Sequence, residues 1–176
     1  MPELDWKHEV AEVPAEGLNG ERTATPQELE RLAHALELEA CRSLTATYRI
    51  DPIGGGRYAV SGSLEAQVEQ ACVVSLDPVA SAIRERFEYV FMSEQDLPAA
   101  LTGRLDLDDE PETAAIDNGR VDVGQVVEAI LAEAIDPFPR SAGAVLEQQT
   151  AAPPGAAGDA GNPFAVLAAL KTKARR

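Results

Sequence analysis

The chain has 176 residues and a formal net charge of −15, with 30 acidic and 15 basic side chains. This length suits one domain, or one domain with tails, and the acidity argues against a broad nucleic-acid surface because phosphates would be repelled. Two cysteines, Cys41 and Cys72, are too few for a disulfide framework or a four-cysteine zinc site. The acidic N-terminus and the lack of a long apolar run predict a cytoplasmic protein without secretory signal or membrane span.

Two short elements are expected before the main sheet. Residues 8–13 favour a short edge strand. A helix then begins at Thr25-Pro26-Gln27-Glu28, where Thr25 can cap, Pro26 suits the first helical position and Glu28 completes a capping box. Apolar side chains recur at helical spacing up to about residue 38, at Leu29, Leu32, Ala33 and Leu36. The pattern predicts a short N-terminal helix.

Alternation with a period of two predicts an antiparallel meander over residues 44–91. Apolar side chains alternate at 44–50, from 58 through 76, and at 83–91, and turn-rich clusters at 51–56 and 77–78 separate these runs. Gly62 lies inside the second run and indicates a bend or bulge. Residues 114–117 are expected to add a fourth strand.

Residues 93–113 are expected to form an acidic loop. Between residues 93 and 117 there are eight acidic side chains and one basic side chain, which gives this segment a charge of −7. Such runs are usually solvated surface, and the functional alternative is a surface for a basic partner. Asp106, Asp108 and Glu110 have the spacing of a calcium loop, but Pro111 stands where that loop needs glycine, so calcium is not expected.

The clearest helical pattern in the chain begins at Asp122. This residue can cap a helix with Gln125 three residues on, and apolar residues follow at 123, 126, 127, 130, 131, 134 and 135. Pro137 and Pro139 end the helix. Its apolar stripe should pack on the sheet. The predicted fold class is therefore α+β: an antiparallel meander sheet with one long amphipathic helix packed on it, a short N-terminal helix and a flexible C-terminal tail.

The composition changes after residue 140. Residues 141–161 contain seven Ala, four Gly and two Pro, which predicts a disordered linker. Residues 162–176 have an apolar face and four basic side chains without an acidic one. We therefore expect a single α+β domain over 1–140, a linker over 141–161 and a short basic amphipathic tail motif over 162–176. The tail either folds back onto the domain or binds a partner.

Recognisable catalytic chemistry is absent from the sequence. There is no Gly-x-Ser-x-Gly elbow, neither histidine has a triad context, and the glycine run at 54–56 leads into a strand rather than a helix. Cys72 lies on the inward side of its predicted strand and is expected to be a small buried apolar residue. We expect no enzyme activity, no cofactor and no metal site.

Three stretches carry a resemblance to a known family. They are Val-Glu-Gln-Ala-Cys-Val-Val-Ser-Leu-Asp-Pro at 68–78, Ile-Asp-Asn-Gly-Arg-Val-Asp-Val at 116–123, and Asn-Pro-Phe-Ala-Val-Leu-Ala-Ala-Leu-Lys at 162–171. In this order and spacing they resemble the YceD family, the large ribosomal RNA subunit accumulation proteins. Many relatives carry Cys-x-x-Cys in the first stretch, where this chain has Ser75 at the second position. A metal-binding role is therefore not carried over.

The resemblance implies a non-catalytic factor needed for the accumulation of large-subunit ribosomal RNA. Because the body is acidic, we expect a basic ribosomal protein or a large-subunit assembly intermediate as partner, weak or indirect rRNA contact, and no membrane contact. The alternative is an acidic protein-binding adaptor or chaperone unconnected with ribosomes. Candidate binding residues are Asn162, Pro163, Phe164, Leu167, Leu170 and Lys171; Cys72, Asp122, Glu128, Pro137 and Pro139 are expected to support the fold.

Overall fold

Seven strands and two α-helices make up the part of the chain that the computed structural model describes, residues 3–97 and 112–144. In chain order they are β1 (Lys7–Glu9), β2 (Leu18–Thr23), α1 (Pro26–Ala35), β3 (Ala40–Gly54), β4 (Arg57–Ala71), β5 (Pro78–Ser93), β6 (Glu112–Ile116), β7 (Arg120–Asp122) and α2 (Val123–Ala134). The predicted tail motif, most of the predicted linker and most of the acidic loop lie outside the described residues.

The main sheet has five strands in the order β2-β3-β4-β5-β6. Strands β2 to β5 pair antiparallel, which confirms the prediction of a mixed fold with a mostly antiparallel sheet. The fourth strand of the predicted meander needs correction, because β6 runs parallel to β5, with Tyr89 opposite Glu112 and Ser93 opposite Ile116. β6 also begins at Glu112 instead of residue 114.

The N-terminal strand is shorter than the predicted one over residues 8–13. β1 covers only Lys7–Glu9, and a 3-10 turn at Val10–Glu12 follows it. β1 pairs with β7 in a separate two-stranded sheet, with Lys7 opposite Asp122. The edge of the main sheet is instead β2, a strand that the alternation did not predict.

The core lies on one face of the sheet, as the alternation requires. Leu44, Ala46, Tyr48 and Ile50 of β3 are buried, and their β4 neighbours Val60, Leu64, Ala66 and Val68 are buried beside them. α2 packs against β4 and β5 and buries Val123, Val126, Val127 and Leu131. No helix within the described ranges is long and apolar enough to cross a membrane.

A capping box fixes the start of α1. The Thr25 hydroxyl oxygen accepts a hydrogen bond from the Glu28 backbone nitrogen at 3.3 Å, and the Glu28 carboxylate accepts one from the Thr25 backbone nitrogen at 2.8 Å. Glu28 also accepts a bond from the Asp5 backbone nitrogen at 3.3 Å. Through this buried carboxylate the helix start also holds the N-terminal segment.

Gly62 lies where neighbouring atoms come very close to the β4 backbone, and not at the predicted bend or bulge. The register is continuous through Gly62 on both sides of β4, with Tyr48 and Phe87 as its partners. A Cβ atom at this position would collide with the Thr47 carbonyl oxygen and lie 2.7 Å from Cζ of Phe87. Glycine is needed here because the neighbouring strand and the Phe87 ring occupy the space of a side chain.

Candidate functional site

The first family-like stretch ends in a tight turn, which we call the Cys72 turn (residues 72–77). β4 ends at Ala71, so the run of alternation predicted through residue 76 is five residues too long. The Cys72 backbone nitrogen donates to the Asp77 carbonyl at 2.8 Å, and the Leu76 backbone nitrogen donates to the Cys72 carbonyl at 2.9 Å. Both bonds close the turn between β4 and β5.

The sulphur of Cys72 is the centre of this turn. It accepts hydrogen bonds from the backbone nitrogens of Val74 and Ser75, both at 3.4 Å. It also accepts a bond from the Ser141 backbone nitrogen at 3.3 Å and one from the Ser141 hydroxyl at 3.6 Å. Cys72 is buried, as expected, but it lies outside the main apolar core cluster, and four hydrogen-bond donors face its sulphur.

These donors change the acidity of the thiol. Hydrogen bonds from the Ser75 side chain, the Ser141 backbone and the Ser75 backbone lower the pKa of Cys72 from its ordinary value of 9.0 to about 6. Donors directed at sulphur stabilise the thiolate, and burial acts in the opposite direction. The hydrogen bonds therefore favour the thiolate form of Cys72. The side chain is fully buried, and its sulphur holds the backbone of residues 74, 75 and 141 in place.

The partner of the Cys72 turn is the segment that follows α2, residues 136–141, which we call the post-helix segment. The Val73 backbone nitrogen donates to the Pro139 carbonyl at 2.9 Å. Gln70 Nε2 donates to the Asp136 carbonyl at 2.8 Å, and the Ser75 and Ser141 hydroxyl oxygens lie 3.3 Å apart. Pro139 is buried and Pro137 is exposed. The first family-like stretch thus meets a segment of the chain that lies more than 60 residues away in sequence.

Asp122 and Glu128 lie elsewhere, at the start and on the outer side of α2. Asp122 Oδ1 accepts from the Gln125 backbone nitrogen at 3.1 Å and so caps the helix, and Asp122 Oδ2 lies 3.7 Å from Lys7 Nζ. Glu128 Oε2 accepts from the Glu3 backbone nitrogen at 3.0 Å. Both carboxylates therefore attach the N-terminal segment to α2.

A groove of about 580 Å³ opens beside these two carboxylates. Its lining includes the apolar residues Leu36, Ala115, Ala129 and Ala132 and the charged residues Lys7, Asp117, Arg120, Asp122 and Glu128. Both basic residues of the lining already face acids, since Arg120 Nε lies 2.6 Å from Glu9 Oε1 and Lys7 faces Asp122. Within residues 3–97 and 112–144, no three His, Cys, Asp or Glu side chains are grouped as a metal-ligand set.

The sequence-based candidates divide into two groups. Cys72, Pro137 and Pro139 lie at the contact between the Cys72 turn and the post-helix segment, and Asp122 and Glu128 lie on α2. Asn162, Pro163, Phe164, Leu167, Leu170 and Lys171 lie outside the described residues. Ser141 escaped sequence reasoning because serine in an Ala- and Gly-rich stretch carries no pattern. Phe138 did carry a signal, an aromatic residue between two prolines.

Sheet, helices and bonded turn together define an acidic α+β domain in which one sulphur atom joins the first family-like stretch to the segment that follows α2. A family model described as "Large ribosomal RNA subunit accumulation protein YceD" matches residues 60–171, well over half of the chain. The chain therefore belongs to the YceD family, whose description implies a role in the accumulation of large-subunit ribosomal RNA. No curated protein and no solved structure matches the chain significantly.

Proposed function

We propose that this chain is a non-catalytic factor that supports the accumulation and assembly of large-subunit ribosomal RNA by binding a basic ribosomal protein or an assembling particle. Membership of the YceD family is the observation that carries the proposal. The sequence motifs of common catalytic classes are absent, which supports a binding role over an enzymatic one.

The charge of the chain supports a protein as the direct contact. With a net charge of −15, the chain repels free RNA and attracts basic proteins, and ribosomal proteins are strongly basic. Contact with rRNA is then weak or indirect. The basic tail at 162–176 is the part of the chain that suits an RNA-containing particle, and its docking residues are Phe164, Leu167, Leu170 and Lys171 together with the helix-starting pair Asn162 and Pro163.

Sedimentation of cell lysate through a sucrose gradient tests this function. We expect the full-length chain to run with large-subunit precursors, and the chain that lacks residues 162–176 to stay at the top of the gradient. Both forms at the top, at low as well as moderate salt, would favour the alternative, an acidic adaptor or chaperone unconnected with ribosomes. Tight, salt-sensitive binding of naked rRNA by the chain without its tail would contradict the protein-mediated mechanism.

A further inference from the structure

Three exposed apolar side chains lie at the contact between the Cys72 turn and the post-helix segment. Within the described residues, four large apolar side chains are exposed: Ile53 at 46%, Val73 at 48%, Leu76 at 77% and Phe138 at 70%. The last three belong to two segments that hydrogen bonds hold together. We propose that Val73, Leu76 and Phe138, the apolar patch, bind apolar side chains of a basic protein. This inference rests on the proposed function and assigns a surface to it.

The two segments are held in a fixed relation. The bond from the Val73 nitrogen to the Pro139 carbonyl lies beside Phe138, and the Ser141 bonds to Cys72 Sγ fix the far end of the post-helix segment. Side chains on such segments lose little conformational freedom when a partner binds, which favours affinity. Buried apolar anchors supply most of the binding energy in protein interfaces.

The backbone of Leu76 is strained. Its backbone has φ 63°, a left-handed conformation that costs a non-glycine residue roughly 1–2 kcal/mol. Burial cannot offset this cost, because the side chain is 77% exposed. Glycine would fit the turn better, so a leucine at this position gives nothing to the isolated fold. Strain of this kind points to a function of the side chain that is realised in a complex.

The charges beside the apolar patch select the chemistry of the partner. Asp77 and Asp136 are exposed carboxylates within the two segments that carry the apolar patch. The last turn of α2 has no basic residue, so the negative end of the helix dipole adds to the negative potential of these carboxylates. Arg140 is the one basic residue of the post-helix segment. A partner segment with apolar side chains flanked by Lys or Arg fits this surface, whereas RNA phosphates do not.

Two substitutions in the full-length chain test the apolar patch. Leu76→Gly removes the anchor and relieves the positive φ, so thermal stability should stay equal or rise. Phe138→Ser removes the second anchor at an exposed position. Ile53→Ser is the control, since Ile53 is also a large exposed apolar residue but lies at the end of β3 that pairs with the start of β4, roughly 50 Å along β4 from the Cys72 turn.

The probe is the RNA-free protein mixture extracted from purified large ribosomal subunits. The immobilised full-length chain is exposed to this mixture, and each protein that it retains is then titrated against the chain and its variants. We expect both patch variants to weaken binding about 10-fold or more at moderate salt, where exposed charge pairs are screened, and Ile53→Ser to bind like the unchanged chain. Equal binding by the unchanged chain and all three variants would overturn the proposed role of the apolar patch and leave the proposed function intact.

Other outcomes also oppose this inference. If the unchanged chain runs with large-subunit precursors but binds none of the RNA-free proteins, the proposed function stands and the apolar patch as a protein-binding surface fails. If ultracentrifugation shows a dimer that Phe138→Ser dissolves, a second copy of the chain covers the patch instead. If the unchanged chain neither runs with precursors nor binds the extracted proteins, both proposals fail.

Discussion

The backbone nitrogen of Ser141 donates a hydrogen bond of 3.3 Å to the sulphur of Cys72, although 69 residues separate the two in sequence. The Ser141 hydroxyl donates to the same sulphur at 3.6 Å. The elements β5, β6, β7 and α2 lie between these two residues along the chain. One sulphur therefore connects the end of β4 to the chain that leaves α2, and its protonation state bears on the stability of the domain.

The first prediction concerns pH. The pKa of Cys72 is about 6 in the folded chain and 9.0 ordinarily, so between these values the unfolded chain keeps a proton that the folded chain has released. The free energy of unfolding should then rise as pH increases from about 6 to 9, and this contribution should vanish below about 6. Urea unfolding at a series of pH values measures it, with Cys72→Ser as the variant that lacks the rise.

Cys41→Ser is the control for the pH series. Burial raises the pKa of Cys41, so its removal should leave the rise between pH 6 and 9 in place. The Cys72 assignment is contradicted if Cys72→Ser and the unchanged chain show the same dependence over this interval.

The second prediction concerns the cap of α2. Asp122→Ala removes the acceptor for the Gln125 nitrogen and the carboxylate near Lys7, and should lower the free energy of unfolding by about 1 kcal/mol. Asp122→Asn keeps a capping oxygen, so its free energy of unfolding should fall by only a few tenths of about 1 kcal/mol. Equal losses in both variants, measured by urea unfolding, would assign the effect to the ion pair with Lys7 instead of the cap.

The third prediction concerns the close approach at Gly62. Gly62→Ala should destabilise the domain by about 1–3 kcal/mol, because the added carbon meets the Thr47 carbonyl and the Phe87 ring in a packed sheet. Ser61→Ala, one residue earlier on an exposed position, should change stability by less than about 0.5 kcal/mol. A tolerated Gly62→Ala would mean that β3 and β5 move apart easily at this point. Thermal unfolding of both variants measures these changes in stability.

The fourth prediction concerns the tail. Phe164→Ala should weaken association with large-subunit precursors, because it removes the largest apolar side chain of the tail motif, and should leave the melting temperature nearly unchanged. Ala168→Ser in the same motif is the control, since alanine is too small to anchor a contact. A large drop in melting temperature for Phe164→Ala would instead make the tail part of the core.

Periodicity explains which parts of the fold could be predicted. The alternation in β3, β4 and β5 predicted the buried face, because each of these strands has the core on one side and polar residues on the other. β2 has no such alternation: it is an edge strand with glycine at residue 20, where the Tyr48 ring occupies the space of a side chain. The parallel direction of β6 depends on the path of the chain, which no local pattern records.

The candidate site could also be predicted only in part. Cys72 was identified from the family-like stretch, but the alternation was extended past the end of β4 and placed Leu76 on the inward face, whereas Leu76 is the most exposed of the large apolar side chains described. The donors from Ser141 could not be predicted, because a contact between residues so far apart depends on the whole arrangement of β5 and α2. Local patterns predict which face of an element is buried; they do not predict which turns meet.

The stretch that matches the family model begins at residue 60, inside β4. β3, which pairs with β4 along almost its whole length, lies before that point, and so do the buried residues Leu4 and Trp6. The Val123 nitrogen donates to the Trp6 carbonyl at 3.2 Å, so α2 also begins against this earlier part of the chain. A fragment that begins at residue 60 would leave one edge of β4 unpaired and would lack ten of the 25 buried apolar residues of the described chain. The stretch that matches the family model is therefore smaller than the packed domain, whose core also contains residues of β3 together with Leu4 and Trp6.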